Sequence, residues 1–293
     1  MARRISELNV GDKVRFGAYS IGDEGTHKIT WIKVNGDNTF MSERIEDFRA
    51  FDAREVENPD AYRQRYGNNR YSVSNIDQFL NSSDDECFIK RHEYDEPPTG
   101  NLVSGNTGYA NHHGFLRFFE GWEIDAIDDS TVMTALPDCE VTREDERLDV
   151  ITRKVFLPSY TNLYGGTIRN VSEGDYWEYF KNEINADRAA MPTDYAVEYS
   201  NVDEEVEYDE NWYYLLRSPN AGNGYCVRCV NRGGGYSCCN AYNGVLGVRP
   251  ALKINPEILI SDEPDDMGYY DVIQTEIIYE DVSEEELFSI LTI

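Results

Sequence analysis

Four of the six cysteines lie close together in the sequence and could in principle ligate a metal ion or form a redox pair. Cys226 and Cys229 have C-x-x-C spacing, whereas Cys238 and Cys239 are adjacent. Zinc sites separate paired ligands so that both sulfurs reach one ion, but neighbouring side chains of a strand point to opposite faces. The sequence after Cys229 is Gly-rich, unlike the helix N-terminus of a thioredoxin-like pair. The spacing therefore favours neither zinc binding nor redox catalysis.

No other residues have the spacing of a catalytic motif. His112 and His113 are adjacent, and no histidines have the H-E-x-x-H spacing that places two metal ligands on one helical face. The triple glycine at 233–235 lacks the Lys-Ser/Thr of a phosphate-binding loop. Carboxylates are too abundant for one pair to be singled out as general acid and base. We therefore predict a protein that is not an enzyme and that uses no cofactor and no metal.

The chain is strongly acidic, with 27 Lys and Arg, 55 Asp and Glu, and a formal net charge of −28. Nucleic acids and anionic membranes attract clustered basic residues, so this charge argues against both as partners. No segment approaches the roughly 20 apolar residues of a membrane span, and no apolar run follows Arg3 and Arg4 as in a secretory signal. We expect synthesis in the cytoplasm without a signal peptide, reduced cysteines, and export only by a route such as release of a virus particle.

Residues Asn220–Leu246, called the window below, differ in composition from the rest of the chain. They read N-A-G-N-G-Y-C-V-R-C-V-N-R-G-G-G-Y-S-C-C-N-A-Y-N-G-V-L and contain no Asp, Glu, Lys, Gln, Met or Trp. Every residue type present can be reached from an AAC or AAT codon by randomising its adenines, whereas Lys, Glu, Gln, Met and Trp cannot. Randomised asparagine codons would therefore explain the composition, including the cysteines. The alternative is an ordinary Gly/Asn-rich loop without diversified codons.

Two short motifs bracket the window, L-L-R-S-P at Leu215–Pro219 and G-V-R-P-A-L at Gly247–Leu252. This frame resembles the one around the variable region in target proteins of diversity-generating retroelements, which are common in phages and gut bacteria. The resemblance implies a C-type lectin-like fold of the formylglycine-generating-enzyme type. It also implies that the window is a hypervariable surface that binds a ligand or receptor.

A wider resemblance is to a bacterial and phage domain family of unknown function that ends in the same frame. It covers most of Gly11–Ile254 and leaves out the polar region near residues 81–111 and the C-terminal tail. The matching segments are G-D-K-V-R-F-G-A-Y (Gly11–Tyr19), I-T-W-I-K-V (Ile29–Val34), F-L-N (Phe79–Asn81), K-V-F-L-P-S-Y (Lys154–Tyr160) and P-T-D-Y-A (Pro192–Ala196).

The elements that position the window indicate a mixed α+β domain with long loops. The resemblance to the C-type lectin-like fold implies that its sheets are small and largely antiparallel and that it has two main helices. Two apolar segments, Trp212–Leu216 and Val248–Leu252, are expected to pair in a sheet and hold both ends of the window. The other predicted elements are strands at Lys13–Tyr19 and Thr30–Val34, helices at Val73–Leu80 and Phe115–Ile127, a short apolar run at Lys154–Pro158, an aromatic helix at Tyr176–Phe180 and an inserted loop at Asn81–Asn111.

One domain is predicted over residues 1–260, with the inserted loop near 81–111 and the variable binding region at 220–246. Residues 261–293 form an acidic extension. We expect this extension to dock as a strand and a helix, because it contains Tyr269, Tyr270, Ile273, Ile277, Ile278 and Leu287.

The window has the small, polar and aromatic composition of an antibody-like binding surface. Tyr225, Tyr236 and Tyr242 are expected to anchor a ligand, while asparagines adapt their hydrogen bonds. Arg217 and Arg249 of the frame are expected to be structural, and Val227, Arg228, Val230 and Ala241 are expected to be half-buried beneath the loops. The predicted ligand-binding residues are Asn220, Asn223, Tyr225, Cys226, Cys229, Asn231, Arg232, Tyr236, Ser237, Cys238, Cys239, Asn240, Tyr242 and Asn243.

The leading hypothesis is therefore a hypervariable binding protein encoded by a phage or prophage. Its partner would be a protein or glycan of the host surface, and the acidic tail could dock it onto a larger phage or cell-surface assembly. One alternative is a virion structural or decoration protein in which the window is incidental. Another is an oxidoreductase of the formylglycine-generating type, whose copper would be held by a cysteine pair. Calcium is not expected, because the window has no carboxylate to bind it.

Overall fold

The computed structural model describes residues 2–21, 25–143, 146–182, 184–203 and 205–274. These residues form a mixed α+β structure that is rich in sheet, as predicted. The described helices have five or six residues, and none of them could span a membrane. They are α1 (Ala61–Tyr66), α2 (Asn75–Leu80), α3 (Gly121–Asp125), α4 (Tyr160–Tyr164) and α5 (Asp194–Tyr199).

The strands belong to three sheets. In chain order they are β1 (Arg3–Arg4), β2 (Lys13–Tyr19), β3 (His27–Asn35), β4 (Thr39–Ser42), β5 (Asp47–Phe48), β6 (Ile127–Asp128), β7 (Ser130–Ala135), β8 (Leu148–Arg153), β9 (Val155–Phe156), β10 (Tyr214–Pro219), β11 (Cys226–Val230), β12 (Tyr236–Asn240), β13 (Gly247–Val248), β14 (Ala251–Ile254), β15 (Leu259–Ile260) and β16 (Tyr269–Ile273).

The largest sheet has the order β1-β15-β16-β2-β3-β4-β14-β6, and β9 also pairs with β14. The predicted strands at Lys13–Tyr19 and Thr30–Val34 are confirmed as β2 and the inner part of β3. A bulge between Arg15 and Ala18 interrupts their register. Gly17 lies in this bulge with a φ of +72°, and a Cβ there would be 2.2 Å from the Phe119 ring. Only glycine combines this conformation with so close an approach.

Part of the predicted C-terminal extension belongs to this sheet. β16 pairs parallel with β2 and antiparallel with β15. Tyr269 donates a hydrogen bond from its hydroxyl to Glu43 Oε2 at 2.8 Å, and the Arg15 guanidinium lies 4.7 Å from its ring centroid. Ile277, Ile278 and Leu287 lie outside the described residues.

The second sheet, β12-β11-β10-β13-β5, carries the window. The predicted buried strand is confirmed as β10, all of whose residues are buried. The predicted pairing of Trp212–Leu216 with Val248–Leu252 is wrong in its extent. β10 meets β13 only where Tyr214 pairs in parallel with Gly247, and Ala251–Ile254 forms β14 in the large sheet. Pro250 has no N–H to continue the ladder, so the chain changes sheets there.

The helix predictions have mixed outcomes. α2 begins after Ser74, whose Oγ accepts a hydrogen bond from the Asp77 amide, and it buries Ile76, Phe79 and Leu80 as expected. The helix predicted at Phe115–Ile127 is wrong except for α3. The amides of Phe115 and Leu116 donate to the carbonyls of Phe79 and Ser82, and these long-range bonds replace the local bonds of a helix.

The region at Asn81–Asn111 is irregular, as predicted, but it packs into the molecule. Tyr109 is buried and donates a hydrogen bond to the Ala50 carbonyl. The amide of Ser104 donates to Tyr242 O at 2.9 Å, and the Gly244 amide donates to Ser104 O at 2.7 Å. This loop therefore holds the C-terminal part of the window in place.

Candidate ligand-binding face

The window forms an antiparallel hairpin of β11 and β12 at the edge of the second sheet. β12 pairs only with β11 among the described strands, so its other side is a free edge. The register places Arg228 opposite Cys238 and Val227 opposite Cys239. Every side chain of β12 is exposed or half-buried, whereas β11 is buried except at Arg228. β12 is therefore the strand of the hairpin that is most open to solvent.

The cysteines of the hairpin divide between its faces. Cys226 and Cys238 lie on one face of the hairpin, and Cys229 and Cys239 lie on the other face. The described residues contain no group of three or more His, Cys, Asp or Glu arranged to hold a metal ion. The divided thiols give no geometric support to a zinc site formed by all four.

Two of the cysteines predicted to bind ligand lie beneath the face. Cys226 and Cys229 are both buried, because β11 is covered by its neighbours. Burial raises the pKa of the Cys226 thiol to about 11. The pKa of Cys239 is lowered because Cys229 shares a hydrogen bond with its sulfur, while the pKa of Cys229 is raised by this bond and by burial. Of the four window cysteines, Cys238 is exposed and Cys239 is half-buried.

The turn between the strands uses a residue that was predicted to contact ligand. Asn231 Oδ1 accepts hydrogen bonds from the amides of Gly233 and Gly235 at 2.9 and 3.1 Å. Gly234 has a φ of +76°, and a Cβ there would be 1.5 Å from the Asn185 carbonyl oxygen. The carbonyl end of Asn231 is thus engaged in shaping the turn, and Gly234 has no room for a side chain.

Tyrosines surround the open end of the hairpin. The Tyr225 ring stacks on Tyr62 with centroids 5.0 Å apart and on Tyr66 at 5.3 Å. Tyr66 also meets Tyr242 edge-on at 5.7 Å, and its carbonyl accepts a hydrogen bond from the Tyr242 amide. Because Tyr62 is 59% exposed, this stack extends the apolar surface of the window onto α1.

A second tyrosine cluster lies at the turn end. Tyr236 is 53% exposed and meets Tyr160 and Tyr164 edge-on, with centroids 5.0 and 5.7 Å apart. The Tyr164 hydroxyl donates a hydrogen bond to Gly234 O at 2.7 Å. The two predicted anchors Tyr225 and Tyr236 therefore lie at opposite ends of the hairpin, each supported by a tyrosine pair from a short helix.

Sequence reasoning missed these supporting tyrosines. Tyr62 and Tyr66 in α1, and Tyr160 and Tyr164 in α4, are each spaced four residues apart. Side chains at this spacing lie on the same face of a helix. The repeated Tyr-x-x-x-Tyr pattern was the available signal, but it is far from the window in sequence.

The predicted framework residues differ from expectation in two respects, the extent of their burial and the position of Arg228. Val227, Val230 and Ala241 are fully buried, whereas Arg228 is half-buried and faces the second tyrosine cluster. Its guanidinium carbon lies 4.7 Å from the Tyr160 ring centroid and 5.2 Å from that of Tyr236. Arg228 therefore belongs to the face that β12 presents.

Arg232 and the window asparagines other than Asn231 complete the face. The Arg232 guanidinium lies 3.9 Å from the Trp212 ring centroid and 3.8 Å from Glu210. It lines a groove of about 280 Å³ together with Cys239 and Asn243. The predicted ligand-binding residues that are half-buried are Asn220, Asn223, Tyr225, Asn231, Ser237, Cys239, Asn240, Tyr242 and Asn243.

Buried polar residues hold the window from below. Asn69 donates hydrogen bonds from Nδ2 to the carbonyls of Asn223 and Cys226, both at 2.6 Å. Arg217 donates to the carbonyls of Met133 and Leu157. Arg249 donates to the carbonyls of Ser42 and Glu43. The structural role expected for the two frame arginines is confirmed, whereas that of Asn69 had no sequence signal.

Residues 36–256 match the family described as a domain of unknown function, DUF6273. The match includes the whole window and its frame. No curated protein and no solved structure matches the chain.

Proposed function

The chain belongs to the DUF6273 family, and we propose that it is a ligand-binding protein whose window is the binding surface. The observation that carries the proposal is the hairpin itself. An edge strand, β12, displays its side chains to solvent, and an exposed or half-buried tyrosine anchors each end. Rigid tyrosines combined with small polar residues are the composition of surfaces selected for recognition.

The support beneath the hairpin favours tight binding. β10 is completely buried, and Asn69 bonds the backbone at the start of the window. The loop that contains Ser104 bonds the backbone at its end. A surface whose backbone is already ordered loses less conformational entropy when a ligand binds.

The window is proposed to be diversified by a retroelement on a C-type lectin-like fold. Three features support this: the motifs at Leu215–Pro219 and Gly247–Leu252, the residue types reachable from randomised asparagine codons, and the exposure of consecutive β12 side chains. The partner would be a protein or glycan on the surface of a bacterial host. Positions such as Gly234, where the fold admits no side chain, should stay constant.

Sequences of the gene from sibling genomes test the proposed diversification. We expect substitutions to concentrate at the accessible window positions, including Tyr225, Tyr236 and Asn240, and to trace to adenines in a nearby template repeat. Val227, Gly234 and Ala241 should be unchanged. Substitutions scattered evenly along the gene would contradict the proposal.

Binding of the purified protein to cells of the bacterial host tests recognition directly. Replacing Tyr225, Tyr236 and Tyr242 together by Ala should abolish binding while thermal unfolding stays cooperative. The matched control is Tyr208→Ala, because Tyr208 is 52% exposed and lies outside the window. Equal binding by the triple variant and the control would exclude the window as the binding surface.

A further inference from the structure

Arg228 has no ion-pair partner among the described residues, although the protein has 55 acidic residues in all. Its side chain makes no hydrogen bond or ion pair with any described residue, and its Nε is buried without a partner. The two terminal guanidinium nitrogens also make no hydrogen bond with a described residue, but they are not fully buried, so each keeps contact with solvent. An unpaired, partly buried guanidinium is unfavourable unless another group supplies the missing hydrogen bonds.

Glu173, a buried acid that interacts electrostatically with Arg228, already has other hydrogen-bond partners. Burial raises the pKa of Glu173, and the positive charge of Arg228 offsets a small part of this rise. The Glu173 carboxylate accepts hydrogen bonds from the Ser218 hydroxyl and the Ala135 amide. This buried carboxylate therefore stays with its own partners, and the solvent-facing nitrogens of Arg228 are free to bind an external group.

We propose that Arg228 binds a carboxylate of an acidic, extended peptide segment that adds to the free edge of β12. This inference rests on the proposed function and names the chemistry of its ligand. A planar guanidinium binds a carboxylate through two parallel hydrogen bonds. The flanking rings of Tyr160 and Tyr236 hold the guanidinium in place, so little side-chain entropy is lost on binding.

The register of the hairpin fits this arrangement. An added strand would lie about 4.8 Å beyond β12, or roughly 10 Å from β11. Arg228 is opposite Cys238, an exposed residue with a short side chain. The side chains of an arginine and a glutamate together span this distance. The ligand carboxylate would therefore come from the peptide residue opposite Cys238.

Charge and edge geometry together favour an acidic peptide. The net charge of −28 repels acidic segments from most of the surface, but the window contains arginines and no carboxylate. An acidic segment is therefore directed to this face. The unpaired edge of β12 presents backbone donors and acceptors at the spacing of an extended chain, which an acidic glycan does not match.

The inference is tested by selecting displayed random peptides that bind the whole protein. Peptides of about ten residues are used, because this length covers ordinary strands. Peptides selected on the wild-type chain should carry Asp or Glu at one fixed position. Their dissociation constants should rise about 10- to 100-fold for Arg228→Gln, because a charge-assisted pair is lost. Arg228→Lys should recover only part of the affinity, since lysine cannot form two parallel bonds.

Arg4→Gln is the control, because it removes the same charge from β1 in the other sheet. The affinity of this variant should equal that of the wild type, and thermal unfolding of each variant checks that it is folded. No selected peptide, selected peptides without a fixed acid, or equal affinity for Arg228→Gln would overturn the inference. In each of these cases, the proposed function would still stand if the triple tyrosine variant lost its binding to host cells.

Discussion

The sulfur atoms of Cys229 and Cys239 lie 3.0 Å apart across the hairpin, although the two residues are not opposite each other in its register. Cys229 is opposite Ser237, and Cys239 is opposite Val227. The two thiols therefore meet diagonally, and Cys239 lines the groove beside Arg232. Their contact joins the buried strand β11 to the solvent-exposed strand β12.

This contact predicts a specific disulfide. Oxidised glutathione should convert the two thiols into one disulfide, releasing reduced glutathione, and the protein should lose the mass of two hydrogen atoms. The lowered pKa of Cys239 favours its thiolate as the attacking group. Closing so short a loop should raise the free energy of unfolding by about 2–3 kcal/mol. Peptide mass mapping identifies the linked pair, and Cys239→Ser is the control; a Cys226–Cys238 link would contradict the prediction.

Gly234 should be the least replaceable residue of the turn. Gly234→Ala places a methyl group against the Asn185 carbonyl and forces a side chain into a left-handed conformation. We expect the free energy of unfolding to fall by about 2–4 kcal/mol. Gly233→Ala is the matched control, because its nearest contact would be Asn231 Oδ1 at 3.4 Å. Urea unfolding measures both variants, and equal stabilities would show that the turn can shift away from residues 185–189.

Asn69 should control the order of the window without touching a ligand. Asn69→Ala leaves the carbonyls of Asn223 and Cys226 without their buried donor. The expected loss of stability is about 1–3 kcal/mol, accompanied by faster hydrogen exchange at the amides of Asn220 and Cys226. Asn101→Ala, at an exposed position, should change neither quantity. Unchanged exchange in Asn69→Ala would mean that other contacts are sufficient to order the window.

His112 should make stability depend on pH. Burial, and then the adjacent Arg49 charge, lower its pKa from 6.5 to about 4. The unfolded chain therefore binds a proton at His112 more readily than the folded chain does. The contribution of the neutral His112 to the free energy of unfolding is complete above pH 6.5, and it is lost as the pH falls toward 4. Between pH 7 and 5 the loss is at most about 2 kcal/mol.

His112→Gln tests this dependence, because the amide oxygen of the glutamine can still accept the hydrogen bond from Arg49 Nη1. Urea unfolding of the wild type and the variant at several pH values isolates the histidine from the carboxyl groups that both proteins share. The wild type should lose more stability on acidification. Parallel stability curves for the two proteins would contradict the prediction.

Local patterns predicted the fold wherever nearby residues determine the conformation. Lys13–Tyr19 alternates buried and half-buried residues over most of its length, and the cap and apolar spacing around Ser74 specify α2. The prediction was wrong where distant groups compete for the backbone. Phe115 bonds to Phe79 in place of forming a helix, and Pro250 marks a change of sheet that hydrophobicity alone does not reveal.

The sequence by itself determined the α+β class, the position of the window between its two motifs, and the absence of acidic residues from it. Only the tertiary structure decided which window residues a ligand can reach. It buried Cys226 and Cys229, engaged Asn231 in the turn, and left Arg228 without a charged partner among the residues that the structure describes. The physical reason is that exposure depends on strand register and on packing against α1, α4 and Asn69, which are distant in the chain.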